Sequence, residues 1–144
     1  MKHNTNIVNK KAKFEFSFIR TEISGIQLSG SEVKSIRLGK VSLVDSFCFF
    51  NENELFVKNI NVNNDGSAFT HIPVRDRKLL LKKRELNKLK NDLIDGLTII
   101  PYRLFVNDRG MIKVEIALAK GKKLYDKRET IKKRDIEREI KKFL

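Results

Sequence analysis

The stretch LTIIPYRLFVNDRGMIKVEIALA, residues 97–119, holds two strand-like runs on either side of Asn107-Asp108-Arg109-Gly110. In the second run Ile112, Val114, Ile116 and Leu118 alternate with Lys113, Glu115, Ala117 and Ala119. That period of two puts successive side chains on opposite faces of a strand. Turn residues between the runs predict an antiparallel hairpin, Leu97 to Val106 against Met111 to Ala119. Pro101 has no amide hydrogen and so demands an edge position or a bulge.

Working outward, the rest of the chain supplies partners for that hairpin. Phe14, Phe16 and Phe18 alternate with Glu15 and Ser17 and predict a first strand whose phenylalanines enter the core, until Ile19 blurs the pattern. Gly25 to Leu28 reads as a short strand. Ser31 as N-cap, Glu32 in the first turn, Val33 and Ile36 on one face, and Gly39 just past the end predict a short helix. Ser42 to Phe50 reads as a strand with no cleanly polar face, and Leu55 to Ile60 as its partner across Asn51–Glu54. Leu79, Leu86, Leu89 and Leu93, widened by Leu80 and Ile94, predict the long helix of the domain, with Gly96 after it. Five to seven strands with two inserted helices predict a mainly β fold, a small antiparallel barrel with flanking helices. So few strands leave edges that need closure or cover. Periodicity does not choose among barrel topologies.

With 144 residues there is room for one hydrophobic core. The formal net charge of +13 favours polyanionic partners, nucleic acid first and an anionic membrane surface second. Cys48 is the only cysteine, which excludes an internal disulfide and reads as a small buried hydrophobe. No apolar run approaches the roughly 18 residues of a spanning helix, and the first residues lack the apolar centre of a secretory signal, so a cytoplasmic protein is expected. The two histidines, His3 and His71, stand apart from any metal-ligand spacing, and no P-loop or dinucleotide fingerprint is present. No catalytic residue, cofactor or metal is expected.

Basic residues concentrate in three places: Asn9 to Lys13, Arg75 to Lys90, and the segment from Lys120 to the end. That last segment has 11 Lys or Arg against 5 Asp or Glu, a net +6. Each cation that reaches a phosphate releases condensed counterions, so binding should weaken steeply with salt. Tyr125, set among Lys122, Lys123, Lys127 and Arg128, has the makings of a stacking contact with an unpaired base. Ile136, Ile140, Phe143 and Leu144 have helical spacing, but a lone helix of this length is marginal in water. The segment is therefore expected to be poorly ordered alone and helical when bound. Its apolar stripe is too thin for a membrane anchor, so no membrane partner is expected.

Three segments together resemble a known family: Gly30–Lys40 (GSEVKSIRLGK), Arg75–Leu81 (RDRKLLL) and Ala119–Arg128 (AKGKKLYDKR). The chain resembles the SsrA-binding protein (small protein B) family, bacterial partners of transfer-messenger RNA, in register from about Asn9 onward. The resemblance implies a flexible arm over residues 1–8, an oligonucleotide-binding-type (OB-like) barrel over 9–119 and a basic tail over 120–144. It implies binding to the tRNA-like domain of transfer-messenger RNA and delivery to ribosomes stalled on messages that lack a usable stop codon. Trans-translation then tags the incomplete protein for proteolysis. The implied partners are that RNA and the stalled ribosome, at the decoding centre and mRNA channel of the small subunit, with the protein a monomer in the functional complex.

Carried over by position, Asn9, Lys10, Lys11, Lys13, Glu32, Lys34 and Lys40 belong to the RNA-facing region or its support. Glu32 is expected to orient a base or a basic side chain rather than attract phosphate. Arg75, Arg77 and Lys78 match the family's basic lead-in. Lys120, Lys122, Lys123, Tyr125, Asp126, Lys127, Arg128, Ile131, Lys132, Lys133, Arg134 and Arg138 match the tail that probes an empty mRNA channel. Ile23 and Ile72 stand where the family carries acidic residues. The alternative reading is a structural protein bound permanently to rRNA.

Overall fold

In the computed structural model, which describes residues 5–64, 66, 70–94 and 96–122, the C-terminal hairpin forms as expected. Strand β8, Leu97–Val106, pairs antiparallel with strand β9, Ile112–Gly121, and Gly110 takes a φ of 80° in the connection. The register slips between Pro101 and Arg103. Proline has no N–H for the ladder, and the bulge removes the demand for one. Ile112, Val114, Ile116 and Leu118 point inward and are buried. Ala117 and Ala119 face the other way and are buried too, because a helix lies over them.

That helix is α1, Lys10–Glu15, followed directly by strand β2, Phe16–Ile26. The first strand therefore begins two residues later than the Phe14 alternation suggests. Asn9 caps the helix with its side chain, and Ala12 packs with Ile100, Ala117 and Ala119 under partly buried Phe16 and Phe18. Small side chains at 12, 117 and 119 let α1 approach the sheet closely. Strand β2 takes in Gly25 and Ile26 of the expected Gly25–Leu28 strand but stops before Gln27, and it runs alongside β9 with a bulge at Ile19, which is 56% exposed. The blurred alternation at Ile19 is that bulge. Asn6–Val8, placed by sequence in a loose arm, forms strand β1 against β8.

Helix α2 spans Gly30–Arg37, with Gly39 at φ 77° beyond it and its N–H on the Ile36 carbonyl. Ser42 to Phe50 is not one strand. Val41–Ser42 (β3) pairs with Asn61–Val62 (β6), while Phe47–Asn51 (β4) pairs with Glu54–Lys58 (β5). Between β3 and β4, Asp45 adopts a φ of 60° and the Ser46 hydroxyl donates to the Leu43 carbonyl at 2.5 Å, closing a turn. The expected long helix is also shorter. Arg77–Leu80 is strand β7, with Arg77 and Leu79 buried and Lys78 and Leu80 outward, and helix α3 covers only Lys83–Asp92. The leucines of the two elements lie close enough in spacing to mimic one helical stripe.

The architecture is a mixed α/β fold, an antiparallel sheet with flanking helices. Among the described residues, seven strands run β1-β8-β4-β5-β7-β2-β9, β8 pairing with β9 as well, beside the two-stranded β3–β6 ladder. The main hydrophobic cluster includes Ile36, Leu55, Val57, Leu79, Leu89, Leu104 and Val114, and a smaller one lies under α1. Cys48 is buried in β4, and burial pushes its thiol pKa up. No helix among the described residues is long and apolar enough to cross a membrane. Leu104 is fully buried on β8, between β1 and β9. Leu104→Ala should lower stability by about 2–5 kcal/mol, read as a shift in the urea midpoint with little change in slope.

Candidate nucleic-acid interface

The N-terminus of α2 is built on the spacing Ser29-x-x-Glu32. The Ser29 hydroxyl accepts from the Glu32 N–H at 3.4 Å, and Glu32 Oε1 accepts from the Ser29 N–H at 2.8 Å. This is a reciprocal capping box. Ser29, not Ser31, is therefore the cap. An S-x-x-E spacing is visible in sequence and was the better signal.

Glu32 does more than cap. Its side chain is fully buried, and its carboxylate also accepts from Arg75 Nη2 at 2.5 Å, Arg75 Nε at 3.2 Å and Arg77 Nε at 2.5 Å. Burial alone would raise its pKa. The Arg75 bonds, the Ser29 N–H and Arg77 outweigh that and lower it from an ordinary 4.5 to about 2. Arg77 is itself fully buried. Its Nη1 donates to the carbonyls of Ile60 at 2.8 Å and Arg75 at 3.4 Å, and its Nη2 to those of Pro73 at 3.1 Å and Ile72 at 3.5 Å. With Nε on Glu32, all five guanidinium donors meet acceptors. Burial pulls the Arg77 pKa down, against the neighbouring carboxylate.

Arg77, expected among the RNA contacts, thus has no donor left for a ligand and acts as a strut. Arg75 differs. It is about one-third exposed, held by Glu32 and by the Asp76 carbonyl at 3.2 Å, and two of its N–H groups have no acceptor among the described residues. It is a cation aimed by its neighbours. The adjoining loop is fixed by His71, whose Nε2 donates to the Val62 carbonyl at 2.8 Å and whose Nδ1 is hydrogen-bonded to the Ser31 hydroxyl at 2.9 Å. Asn64 clamps the His71 main chain on both sides. Sequence reading placed His71 in a loop without seeing this link. Lys34 and Lys40 are exposed on α2 and just beyond it.

The other expected residues fall in different places. Asn9 is buried. Besides capping α1 it donates to the carbonyls of Leu43 at 3.0 Å and Pro101 at 3.4 Å, so its amide serves the fold. Lys10 is exposed, Lys11 pairs with Asp45 at 3.2 Å, and Lys13 lies 5.8 Å from the Tyr102 ring centroid. The bond to Asp45, then the charges of Asp45 and Glu15, raise the Lys11 pKa. Near this cluster the Lys122 N–H donates to the Glu15 carbonyl at 2.9 Å, with exposed Lys120 two residues earlier. Lys78 sits apart on β7, paired with Glu54 at 3.1 Å. Lys123, Tyr125, Asp126, Lys127, Arg128, Ile131, Lys132, Lys133, Arg134 and Arg138 lie outside the described residues. Two basic neighbourhoods emerge, one around Arg75 and α2, the other around α1 and the end of β9.

Residues 6–144 match the family described as SmpB protein. The chain is 54% identical over 143 residues to the SsrA-binding protein of Christiangramia forsetii, covering 97% of this chain and 91% of that one. Against the SsrA-binding protein of Cytophaga hutchinsonii the identity is 52%, covering 97% and 94%. A solved structure reported as "tmRNA-SmpB: a journey to the center of the bacterial ribosome" superposes with a TM-score of 0.71 at 39% identity, covering 83% of this chain and 86% of that one.

Removing the buried negative charge should be costly. Glu32→Gln leaves Arg77 charged, buried and without its carboxylate, and should lower stability by about 3–5 kcal/mol in urea denaturation. The carboxylate's own contribution, on the order of 3 kcal/mol, should be complete above pH 4.5 and fade as pH falls toward about 2. The gap between wild type and Glu32→Gln should therefore narrow across that window. A gap that stays constant down to pH 2 would sink the assignment.

Proposed function

The chain belongs to the SmpB protein family, and from that premise we propose how its surfaces share the family's work. As a member it binds transfer-messenger RNA and acts in trans-translation, the rescue of stalled ribosomes, as a non-catalytic RNA-binding adaptor. In our reading the sheet is the OB-like barrel of residues 9–119. The pairing order supports this, since β8 pairs with β9 on one side and β4 on the other, so the ladder passes through six strands and returns to β8.

The α2 face takes the tRNA-like domain. One observation carries this: the buried Glu32 carboxylate aims a partly exposed Arg75 from a rigid seat, with Lys34 and Lys40 on the same helix and its end. Charge on a pre-set side chain positions a phosphate contact at little ordering cost. Glu32 and Arg77 then support the interface without touching RNA. The second neighbourhood, Lys10, Lys11 and Lys13 beside Lys120 and Lys122, lies where the chain leaves β9. From there the segment 123–144 enters the empty mRNA channel beyond the decoding centre, its Ile136, Ile140, Phe143 and Leu144 forming one stripe of a helix that the channel stabilises.

Two measurements separate these roles. Arg75→Ala should weaken binding to the tRNA-like domain and lower the salt slope by about one, whereas unchanged affinity and slope would remove Arg75 from the interface. Deleting residues 126–144 should leave affinity for transfer-messenger RNA within about twofold while abolishing peptide tagging on stalled ribosomes, since the RNA-binding cations of α2 remain. A large loss of RNA affinity on that deletion would refute the division of labour.

A further inference from the structure

The outer side of the β4–β5 hairpin carries an aromatic row that the interface above leaves unused. Strand alternation turns Cys48, Leu55 and Val57 inward and Phe47, Phe49 and Phe56 outward. Phe49 stands opposite Phe56 in the register, their rings stacked at 5.9 Å between centroids and 22° between planes. Phe47 continues the row, 6.4 Å from Phe49, and remains 39% exposed. Lysines border the row: Lys58 is the register partner of Phe47, and Lys78 of Phe56. The hairpin end is fixed from behind by Lys90 of α3, which donates to the Glu52 carbonyl and to Asn53 Oδ1, each at 3.1 Å.

A cross-strand Phe pair stabilises a hairpin, which accounts for Phe49 and Phe56. It does not account for an open ring at Phe47 with an exposed ammonium directly across from it. An apolar partner would leave the lysines desolvated along its edge. A nucleotide chain satisfies both features, because each base brings a π-face and each linkage a phosphate.

We infer that the outer β4–β5–β7 face is a stacking platform for unpaired RNA nucleotides. Phe47 takes a base on its open side, Phe49 and Phe56 hold that ring in place, and Lys58 and Lys78 reach the flanking phosphates. Lys78 exchanges Glu54 for phosphate. The inference rests on the RNA-binding reading above and adds a second kind of RNA, single-stranded rather than folded.

The test uses the full chain and a hexa-adenylate RNA with one internal 2-aminopurine, whose fluorescence is quenched by stacking. The wild-type chain should bind and quench it. Phe47→Leu keeps an apolar side chain at a partly exposed position, so it should fold like wild type yet lose affinity by roughly fivefold to a hundredfold, with the quenching gone. Phe47→Trp should retain both, and all three chains should hold transfer-messenger RNA equally. Binding of the hexamer without quenching, full affinity in Phe47→Leu, or equal affinity for an RNA duplex of the same length would overturn the platform. Those outcomes would leave charge alone, or a protein partner, on this face. Failure of the wild-type chain to hold transfer-messenger RNA would instead overturn the reading on which this one rests, and the platform with it.

Discussion

A carboxylate removed from water must be surrounded by donors, and Glu32 imposes that requirement on much of the molecule. Stripping a charged group of its hydration costs several kcal/mol, recovered only when the pairing geometry is good and the remaining lone pairs are filled. Glu32 meets the condition with a backbone N–H from its own helix cap and three guanidinium bonds from two arginines. Arg77 in turn needs acceptors and finds them on Ile60, Ile72, Pro73 and Arg75. One buried charge thus joins a helix start, the end of a hairpin and residues 72–75, where Ile72 and Val74 are exposed. The Ile72, Pro73 and Arg75 carbonyls there are held by the Arg77 guanidinium.

The hairpin 97–119 was legible because its alternation, turn residues and proline all pointed to the same structure. The α2 helix was legible too, although the choice of Ser31 as cap passed over the reciprocal spacing from Ser29 to Glu32. The long helix was read too long, and Arg77's burial went unseen, for physical reasons. A buried arginine defies composition, and Leu79, Leu86 and Leu89 fall near helical period even though a strand, a two-residue break and a helix carry them. Likewise Ser42 to Phe50 looked continuous because a turn made by Asp45 and Ser46 contains no glycine or proline. The roles of the basic residues depend on burial, which a sequence does not show. Asn9 and Arg77 are framework, Arg75 is partly open, and Lys78 belongs to another face.

The sheet's two sides show how few residues separate a structural from a functional surface. Alanines at 117 and 119 admit α1 onto the outside of β9, and this brings Lys10, Lys11 and Lys13 to the place where β9 ends. Larger side chains there would push α1 away and separate those cations from Lys120 and Lys122. The second basic neighbourhood therefore depends on two methyl groups that carry no charge.

The end of β9 has a mechanical meaning as well. Its ladder holds nine registered pairs with β2 and nine with β8, and the Lys122 N–H is fastened to Glu15 just beyond it. Tension applied to the chain past Lys122 runs along the strand axis, so the two ladders share the load in shear instead of opening one bond at a time. A peeled edge strand would yield early; a central strand pulled lengthwise does not. Strand β9 is a tether as well as a wall of the core, able to transmit a tug from one end of the molecule without unravelling the other.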